Sequence, residues 1–422
     1  MTRSTVAQTL GAVLGSAPVA VHGYDGSRHG PADARVRLVL RSPRALSYLV
    51  TAPGELGMAR AYIAGELDLV GDLGRDGDLY TVLSLLWGDR IAKLSWKDRL
   101  GVLRGMDPKA LRWVDPPSEE WGARRLRYGL RHSRARDAAS ISHHYDVSNR
   151  FYDLVLGPSM AYTCACYPDG QATLEQAQEH KHDLACRKLG LRPGMRLLDV
   201  GCGWGGMVLH AAKHYGVQAV GITLSRKQAE WGTKAVADAG LTGVAEIRHG
   251  DYRDIAETGF DAVSSIGLTE HIGLRQFPEY FRFLRSRLRP QGRLLNHCIT
   301  RPTTTEPTRI GPFIDRYVFP DGELAGVGAI VSAMQDHGFE VRHEENLREH
   351  YARTLAGWCA NLAGHWDEAV REVGEGRARV WLLYMTGSRL GFERRTLELH
   401  QVLGVRTEDG EADFPLRPDW GV

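Results

Sequence analysis

No stretch of this 422-residue chain approaches the roughly 18 consecutive apolar residues that a spanning helix needs, so any membrane contact is expected to be peripheral. Cysteine is scarce. The six present (Cys164, Cys166, Cys186, Cys202, Cys298 and Cys359) have no repeating spacing, which argues against a disulfide framework and fits a reducing cytoplasm. Cys164-Ala-Cys166 has no CxxC or HxxxH partner, so no metal site is expected. Charge imbalance is missing too: Lys and Arg number 53 against 51 Asp and Glu, a net charge of +2, and no nucleic-acid partner is expected. The apolar run Thr9–Val21 has only Arg3 before it and contains Gly, Ser and Pro, so it does not read as a secretory signal. Internal repeats are also lacking.

What is there divides into three parts. Residues 1 to about 33 are rich in Gly, Pro and Ser and end in turn-forming residues. Alternation over 34–41 predicts a strand with Val36, Leu38 and Leu40 on one face, and Ser42-Pro43 predicts a capped helix start. A second helix is expected over 55–64, giving a small α+β domain over 1–115. Residues 116–140 read as a basic linker helix, because Trp121–Arg136 carries six arginines and no acid. A solvated linker and an arm lying on anionic phospholipid are the two roles open to it, each basic residue near such a surface contributing about 1 kcal/mol. From 141 to 422 the pattern becomes strand, Gly-rich turn, helix, repeated, which predicts a parallel sheet covered on both faces. Strands are expected at 196–200, 219–223, 245–248, 260–265 and 292–296, with helices near 205–215, 225–239, 276–288 and 323–337.

The segment Leu197-Leu-Asp-Val-Gly-Cys-Gly-Trp-Gly-Gly206 is a strand followed by a tight turn and a helix start. Gly201, Gly203 and Gly205 let the backbone come close to a ligand. Nicotinamide, flavin and S-adenosylmethionine proteins all use such loops. S-adenosylmethionine is favoured because Asp199 can hold a cationic ligand, because Gly221–Gln228 follows at the next strand end, and because Asp251 stands after the third strand, where a carboxylate can receive the adenine amino group. No acid ends the second strand, so Thr223 and Gln228 are expected to serve the ribose hydroxyls. The fold class is therefore α/β: a Rossmann-like class I S-adenosylmethionine methyltransferase fold with a small N-terminal α+β domain.

Further ordered motifs are His144–Asn149, Met160–Ala165, Asp251–Asp254, Gly267-Leu-Thr-Glu-His-Ile-Gly273, Leu294–His297 and Arg316–Pro320. Together with the glycine loop they resemble the cyclopropane fatty acid synthase family, including the mycolic acid cyclopropane synthases. The resemblance is dense over roughly 140–400 and looser over 34–80. It implies methylene transfer from S-adenosylmethionine to the double bond of an unsaturated acyl chain of a membrane phospholipid. It further implies cofactor contacts from Tyr162, Thr163, Thr223, Leu224, Ser225, Gln228 and Tyr252, and a bicarbonate ion as base held by Cys164, Glu270, His297 and Tyr351, with the Ile299 backbone beside them. The N-terminal domain would be lipid-binding-like, and the enzyme cytoplasmic, held peripherally on the inner face of the membrane; a homodimer is the oligomer considered. Two departures stand out: Thr269 precedes Glu270 in place of an aromatic residue, and Ser388 stands where many members carry cysteine, so a thiol there is not obligatory.

The chemistry asks for such residues independently. An alkene is a weak nucleophile, and its alkylation leaves a carbocation that aromatic faces can stabilise and a positioned base must deprotonate. Tyr145, Phe151, Tyr280, Phe281, Phe313 and Tyr317 are candidate aromatic faces, with core packing the competing role for each. Glu270 after the fourth strand and His297 at the end of the fifth converge on the carboxyl edge of the sheet, where ligands bind in such folds. Proton loss from the added methyl closes a cyclopropane; a prior hydride shift leaves a methylene branch, and the sequence does not choose between them. A methyltransferase acting on a soluble molecule would need neither the basic arm nor the N-terminal domain, and a lipid-binding protein without activity would not need Asp199, Glu270 and His297.

Overall fold

The computed structural model describes residues 5–15, 17–87, 112–121, 134, 148–305, 310–320 and 322–421. The chain forms two compact units: Met1–Gly122 with Gly311–Val318 and Trp358–Leu390, and Ala123–Ile310 with Phe319–Gly357 and Gly391–Val422. The first unit thus draws on two later segments besides the single run 1–115 expected from the sequence. Among the described residues no helix is long and apolar enough to cross a membrane.

The first unit carries a four-stranded sheet of β1 (Ala20–His22), β2 (Arg28–His29), β3 (Val36–Leu40) and β4 (Leu67–Gly71), in the order β2-β1-β3-β4. Val36, Leu38 and Leu40 are buried on one face as the alternation predicts, and they pack with Leu10, Val21, Leu46 and Tyr48. Ser42 caps the helix Pro43–Thr51 by accepting from the Arg44 N–H at 3.1 Å. Residues 1–33 hold more order than their turn-rich composition suggests. Thr5 and Gln8 form a reciprocal capping box that starts the helix Val6–Leu14, so part of the apolar run 9–21 is a buried helix face. Glu120 accepts from Arg60 (two bonds of 2.7 Å), Arg316 (2.8 Å) and Tyr317 (3.0 Å), and Tyr317 therefore has a structural role. Trp121 is buried as well, which removes it from any membrane-facing arm. Most of that arm, Arg124, Arg125, Arg127 and Arg131 included, lies outside the described residues, as do His144 and Tyr145; Arg134 pairs with Asp254 at 2.7 Å.

The second unit is built on a seven-stranded sheet: β5 (Arg196–Val200), β6 (Gln218–Thr223), β7 (Ala245–His249), β8 (Phe260–Ile266), β9 (Leu288–Thr300), β10 (Glu340–Asn346) and β11 (Glu398–Val405). Its order is β10-β11-β9-β8-β5-β6-β7. The five predicted strands are parallel to one another, while β11 runs antiparallel to both β9 and β10. Apolar clusters pack on the sheet, one around Leu198, Val263, Phe281 and Leu294, another around Leu197, Val208, Ala211 and Leu295. The strand order turns at β5, since β6 and β7 lie on one side and β8 and β9 on the other. Ligands of open α/β sheets bind at such a switch point, outside the carboxyl ends of the strands.

Candidate functional site

At the carboxyl end of β5 the chain turns through Gly201 (φ +73°), Gly203 (φ +55°) and Gly205 (φ +87°) into the helix Gly206–Tyr215. L side chains rarely adopt this backbone region. At Gly205 space is short as well: a Cβ would come within 2.8 Å of Ile247 Cδ1. Beside the loop lies a partly enclosed cleft, walled by the loop, the end of β6 and the segments after β7 and β8.

Asp199 is the cleft's buried acid. In the β5–β8 register it lies opposite Ser264, whose hydroxyl donates to Asp199 Oδ1 at 2.6 Å. Burial pushes its carboxyl up to about 7, against the lowering effect of Ser264 and of the nearby Lys181 ammonium. A cationic ligand would restore the ionised form. Lys181, on the helix Leu174–Leu189, donates to Thr163 Oγ1 at 2.9 Å, and burial lowers its pKa to about 8. Thr223 Oγ1 donates to Gln228 Oε1 at 2.7 Å, which leaves the Gln228 amide NH2 turned toward the glycine loop.

A second polar group lies beyond the cleft residues Ile266–Leu268. The Gly267 N–H donates to the His297 carbonyl at 2.8 Å where β8 leaves the sheet, and Glu270 follows in a short 3-10 turn. Glu270 Oε1 accepts from the Ile299 N–H at 2.6 Å, while Oε2 is buried without a protein partner. Burial pushes this carboxyl up to about 7. Thr269 anchors the turn by donating to Asn296 Oδ1 at 2.5 Å, a bond that an aromatic at 269 could not make. His297 lies two residues before Ile299 on β9; its Nδ1 is bonded to Gln401 at 3.1 Å and its Nε2 is buried without a protein partner. Burial and the Lys181 and Lys188 cations hold its pKa well below the ordinary range, so the ring is neutral.

Cys164 and Tyr351 also come together. The Cys164 thiol donates to the Ala165 carbonyl (3.2 Å) and lies 3.8 Å from the Leu347 carbonyl, one turn before Tyr351, and the Ala165 N–H donates to Thr354 Oγ1 at 3.1 Å. Tyr351 stacks on Phe392 with ring centroids 4.6 Å apart. Burial raises the Cys164 pKa well above the usual thiol value, so this is a thiol and not a nucleophilic thiolate.

Of the residues expected at the cofactor, Tyr162, Thr163, Asp199, Gly201, Gly203, Thr223, Leu224, Gln228 and Tyr252 line the cleft. Gly205, Ser225 and Asp251 do not. Gly205 sits behind the loop against Ile247, and Ser225 caps the helix Arg226–Asp238 through the Gln228 N–H at 3.3 Å. The Asp251 carboxylate is gripped by Arg253, whose Nε and Nη2 donate at 2.8 and 2.5 Å, and it is Arg253 that reaches the cleft. The aromatic candidates Phe151, Tyr280 and Phe281 are core residues, the Tyr280 hydroxyl being bonded to Ser265. Tyr162, Trp204 and Tyr252 supply the cleft's aromatic surface instead. Lys181, His182 and Trp204 also line it and were not singled out in the sequence; the first two sit in an ordinary amphipathic helix pattern that carries no signal of a site. Ser388 is partly exposed on the helix Glu375–Glu393 of the other unit.

A model of the mycolic acid cyclopropane synthetase family matches residues 132–402. The chain is 54% identical over 413 residues to the probable fatty acid methyltransferase Rv3720 of Mycobacterium tuberculosis, covering 96% of this chain and 95% of that one. It is 34% identical over 263 residues to the cyclopropane-fatty-acyl-phospholipid synthase of Escherichia coli, covering 62% and 66%. The solved structure of mycolic acid cyclopropane synthase CmaA1 complexed with SAH and CTAB shares the fold at a TM-score of 0.60 and 33% identity, over 64% of this chain and 98% of that one. The chain belongs to the mycolic acid cyclopropane synthetase family and is one of its S-adenosylmethionine-dependent methyltransferases.

Proposed function

We propose that this enzyme transfers a one-carbon unit from S-adenosylmethionine to the double bond of an unsaturated acyl chain in a membrane phospholipid and closes a cyclopropane ring. The observation that carries the reading is the two unpartnered buried atoms, Glu270 Oε2 in the turn after β8 and His297 Nε2 near the end of β9. Burying polar atoms without partners is costly, and their persistence favours a functional role. S-adenosylmethionine, when bound, supplies an electrophilic sulfonium methyl. Asp199 holds its cationic part, Gln228 faces the ribose, and Tyr162, Trp204 and Tyr252 keep water from the reacting end. Glu270, fixed through Oε1 by Ile299, keeps Oε2 at a proton affinity where it can hold or release a proton near neutral pH.

The unpartnered atoms also support a bicarbonate ion, which Glu270 Oε2 as acceptor and the His297 Nε2 edge as donor would hold, Cys164 and Tyr351 being added to that set by the family resemblance. When bound, it would supply a weak base next to the added carbon. The Ile299 N–H is already bonded to Glu270, so its part is to orient that carboxyl. The N-terminal unit would engage the lipid surface from the inner face of the membrane, together with the basic run 124–136. It exposes Val70, Leu73 and Trp113, large apolar side chains of the kind that enter an interface.

A methylene branch is the second reading. It is favoured by the names of two relatives matched over nearly their whole length, both called probable fatty acid methyltransferases. Incubation with S-adenosylmethionine and vesicles of a monounsaturated phospholipid, followed by mass spectrometry of the acyl chains, should show a gain of one CH2. Mild hydrogenation then separates the products, since a methylene takes up hydrogen under conditions that leave the ring intact. Methylation of a soluble acceptor with unchanged acyl chains would sink both readings.

A further inference from the structure

We propose that Lys188 and Gln401 are positioning residues that lock His297 in its Nε2–H tautomer and so make its buried, unpartnered Nε2 edge a hydrogen-bond donor. The inference rests on the proposed function only for what that donor meets; the lock itself is read from the protein.

Lys188, near the end of the helix Leu174–Leu189, is completely buried. A buried ammonium is tolerated only when paired and hydrogen-bonded. Lys188 Nζ bonds to the Glu345 carboxylate on β10 and donates to Gln401 Oε1 on β11 at 2.6 Å. The β9–β11 register sets Gln401 directly opposite His297, and the carboxamide reaches across so that Gln401 Nε2 meets His297 Nδ1 at 3.1 Å. The same Nε2 lies 3.9 Å from Cys166 Sγ.

The direction of this chain follows from donor and acceptor inventory. A carboxamide can be placed either way round, but the reversed placement would set its NH2 against the Lys188 ammonium, donor against donor. The ammonium therefore fixes oxygen toward Lys188 and NH2 toward His297. Nδ1 must then accept, which leaves the ring proton on Nε2. That Nε2 is the atom buried without a protein partner. Burial and the two neighbouring lysines keep the ring neutral, so the tautomer, and not protonation, decides whether this edge donates or accepts. If Lys188 merely filled space, the Glu345 carboxylate alone could pair it, and nothing would require Gln401 to bridge the ion pair to a histidine.

The test uses the full-length protein with ¹⁵N-labelled histidine, the His297 signals being assigned with a His297→Gln variant. In the unsubstituted protein the Nδ1 shift should be that of an unprotonated ring nitrogen and the Nε2 shift that of a protonated one. Gln401→Glu is nearly isosteric, keeps an oxygen toward Lys188 and replaces the donor facing His297 with an acceptor. It should invert the two shifts, leave SAH affinity unchanged and lower turnover by on the order of 10²-fold, the lower end of what a positioned acid or base contributes. Lys188→Arg should retain the original tautomer, and it serves if Gln401→Glu does not fold. An Nδ1–H tautomer in the unsubstituted protein would overturn the proposal, as would inverted shifts with full turnover. The shift pattern is read without lipid, so loss of the phospholipid reading would leave the lock standing, and loss of the lock would leave that reading standing.

Discussion

Replacing Asp199 with asparagine should move ligand affinity and fold stability in opposite directions. The side chain is buried at the cleft wall, with Ser264 as its hydrogen-bonding partner, and its carboxyl is raised from 3.8 to about 7 chiefly by burial. In the ligand-free protein the ionised form is therefore disfavoured relative to the unfolded chain. Because the folded pKa lies above the unfolded one, this destabilisation is absent below about pH 4, grows as pH rises and is complete above about pH 7. Its size follows from the displacement and is roughly 4 kcal/mol at most. The asparagine side chain would keep an oxygen for Ser264 and carry no charge. Chemical denaturation at pH 8 should thus find the ligand-free variant more stable than the parent, with the difference vanishing toward pH 4. Affinity for S-adenosylmethionine should fall, since a hydrogen bond to a charged group contributes about 1.5–3 kcal/mol, or roughly ten- to a hundredfold in Kd. The parent's own affinity should fall about tenfold per pH unit below pH 7, as the proton competes with the cation, and the variant's should be flat. Calorimetric titration at several pH values reads both. Equal affinities with the same pH profile would remove Asp199 from the cofactor site.

Glu270→Gln should abolish turnover while sparing SAH affinity, a loss of about 10²–10⁴-fold. In the parent, the carboxylate being the proton-accepting form, turnover should rise with pH through about 7, the value to which burial brings Glu270; a profile flat from pH 6 to 8 would contradict that role. Gly205→Ala sets a Cβ 2.8 Å from Ile247 Cδ1 at a φ of +87° and should cost about 1–3 kcal/mol in denaturant unfolding, with weakened SAH binding. Charge reversal at Arg124, Arg125 and Arg127 together should weaken sedimentation with anionic vesicles and leave SAH binding intact, and unchanged sedimentation would refute a membrane role for that run.

The five parallel strands and the helices between them were legible because each carries a clear period bounded by glycine or a capping residue, as at Asp199–Gly206 and Ser225–Gln228. The antiparallel pair β10 and β11 was not. Glu340–Asn346 is polar apart from Val341, and Glu398–Val405 is buried on both faces, so neither alternates. The helix Val6–Leu14 was hidden by Gly11 within it and Gly15 at its end, although the Thr5-x-x-Gln8 capping box was there to be read. At the site, Glu270 and His297 could be placed at the sheet's carboxyl edge from strand ends alone. The bonding of Asp251 to Arg253 two residues on was not legible, because it depends on side-chain geometry that spacing does not contain. Lys181, Lys188 and Gln401 look like solvent-facing polar residues in sequence; only the packing of the helix Leu174–Leu189 on the sheet turns them inward.

Alkylation of the carbon–carbon double bond must be followed by removal of a proton from the added carbon, by a base at Glu270. S-adenosylmethionine carrying a trideuterated methyl group, incubated with the enzyme and monounsaturated phospholipid vesicles, tests it most directly. Mass spectrometry of the released fatty acids should find acyl chains that have gained one carbon bearing two of the three deuteriums. A transferred group that keeps all three, or label found only outside the acyl chains, would contradict the account.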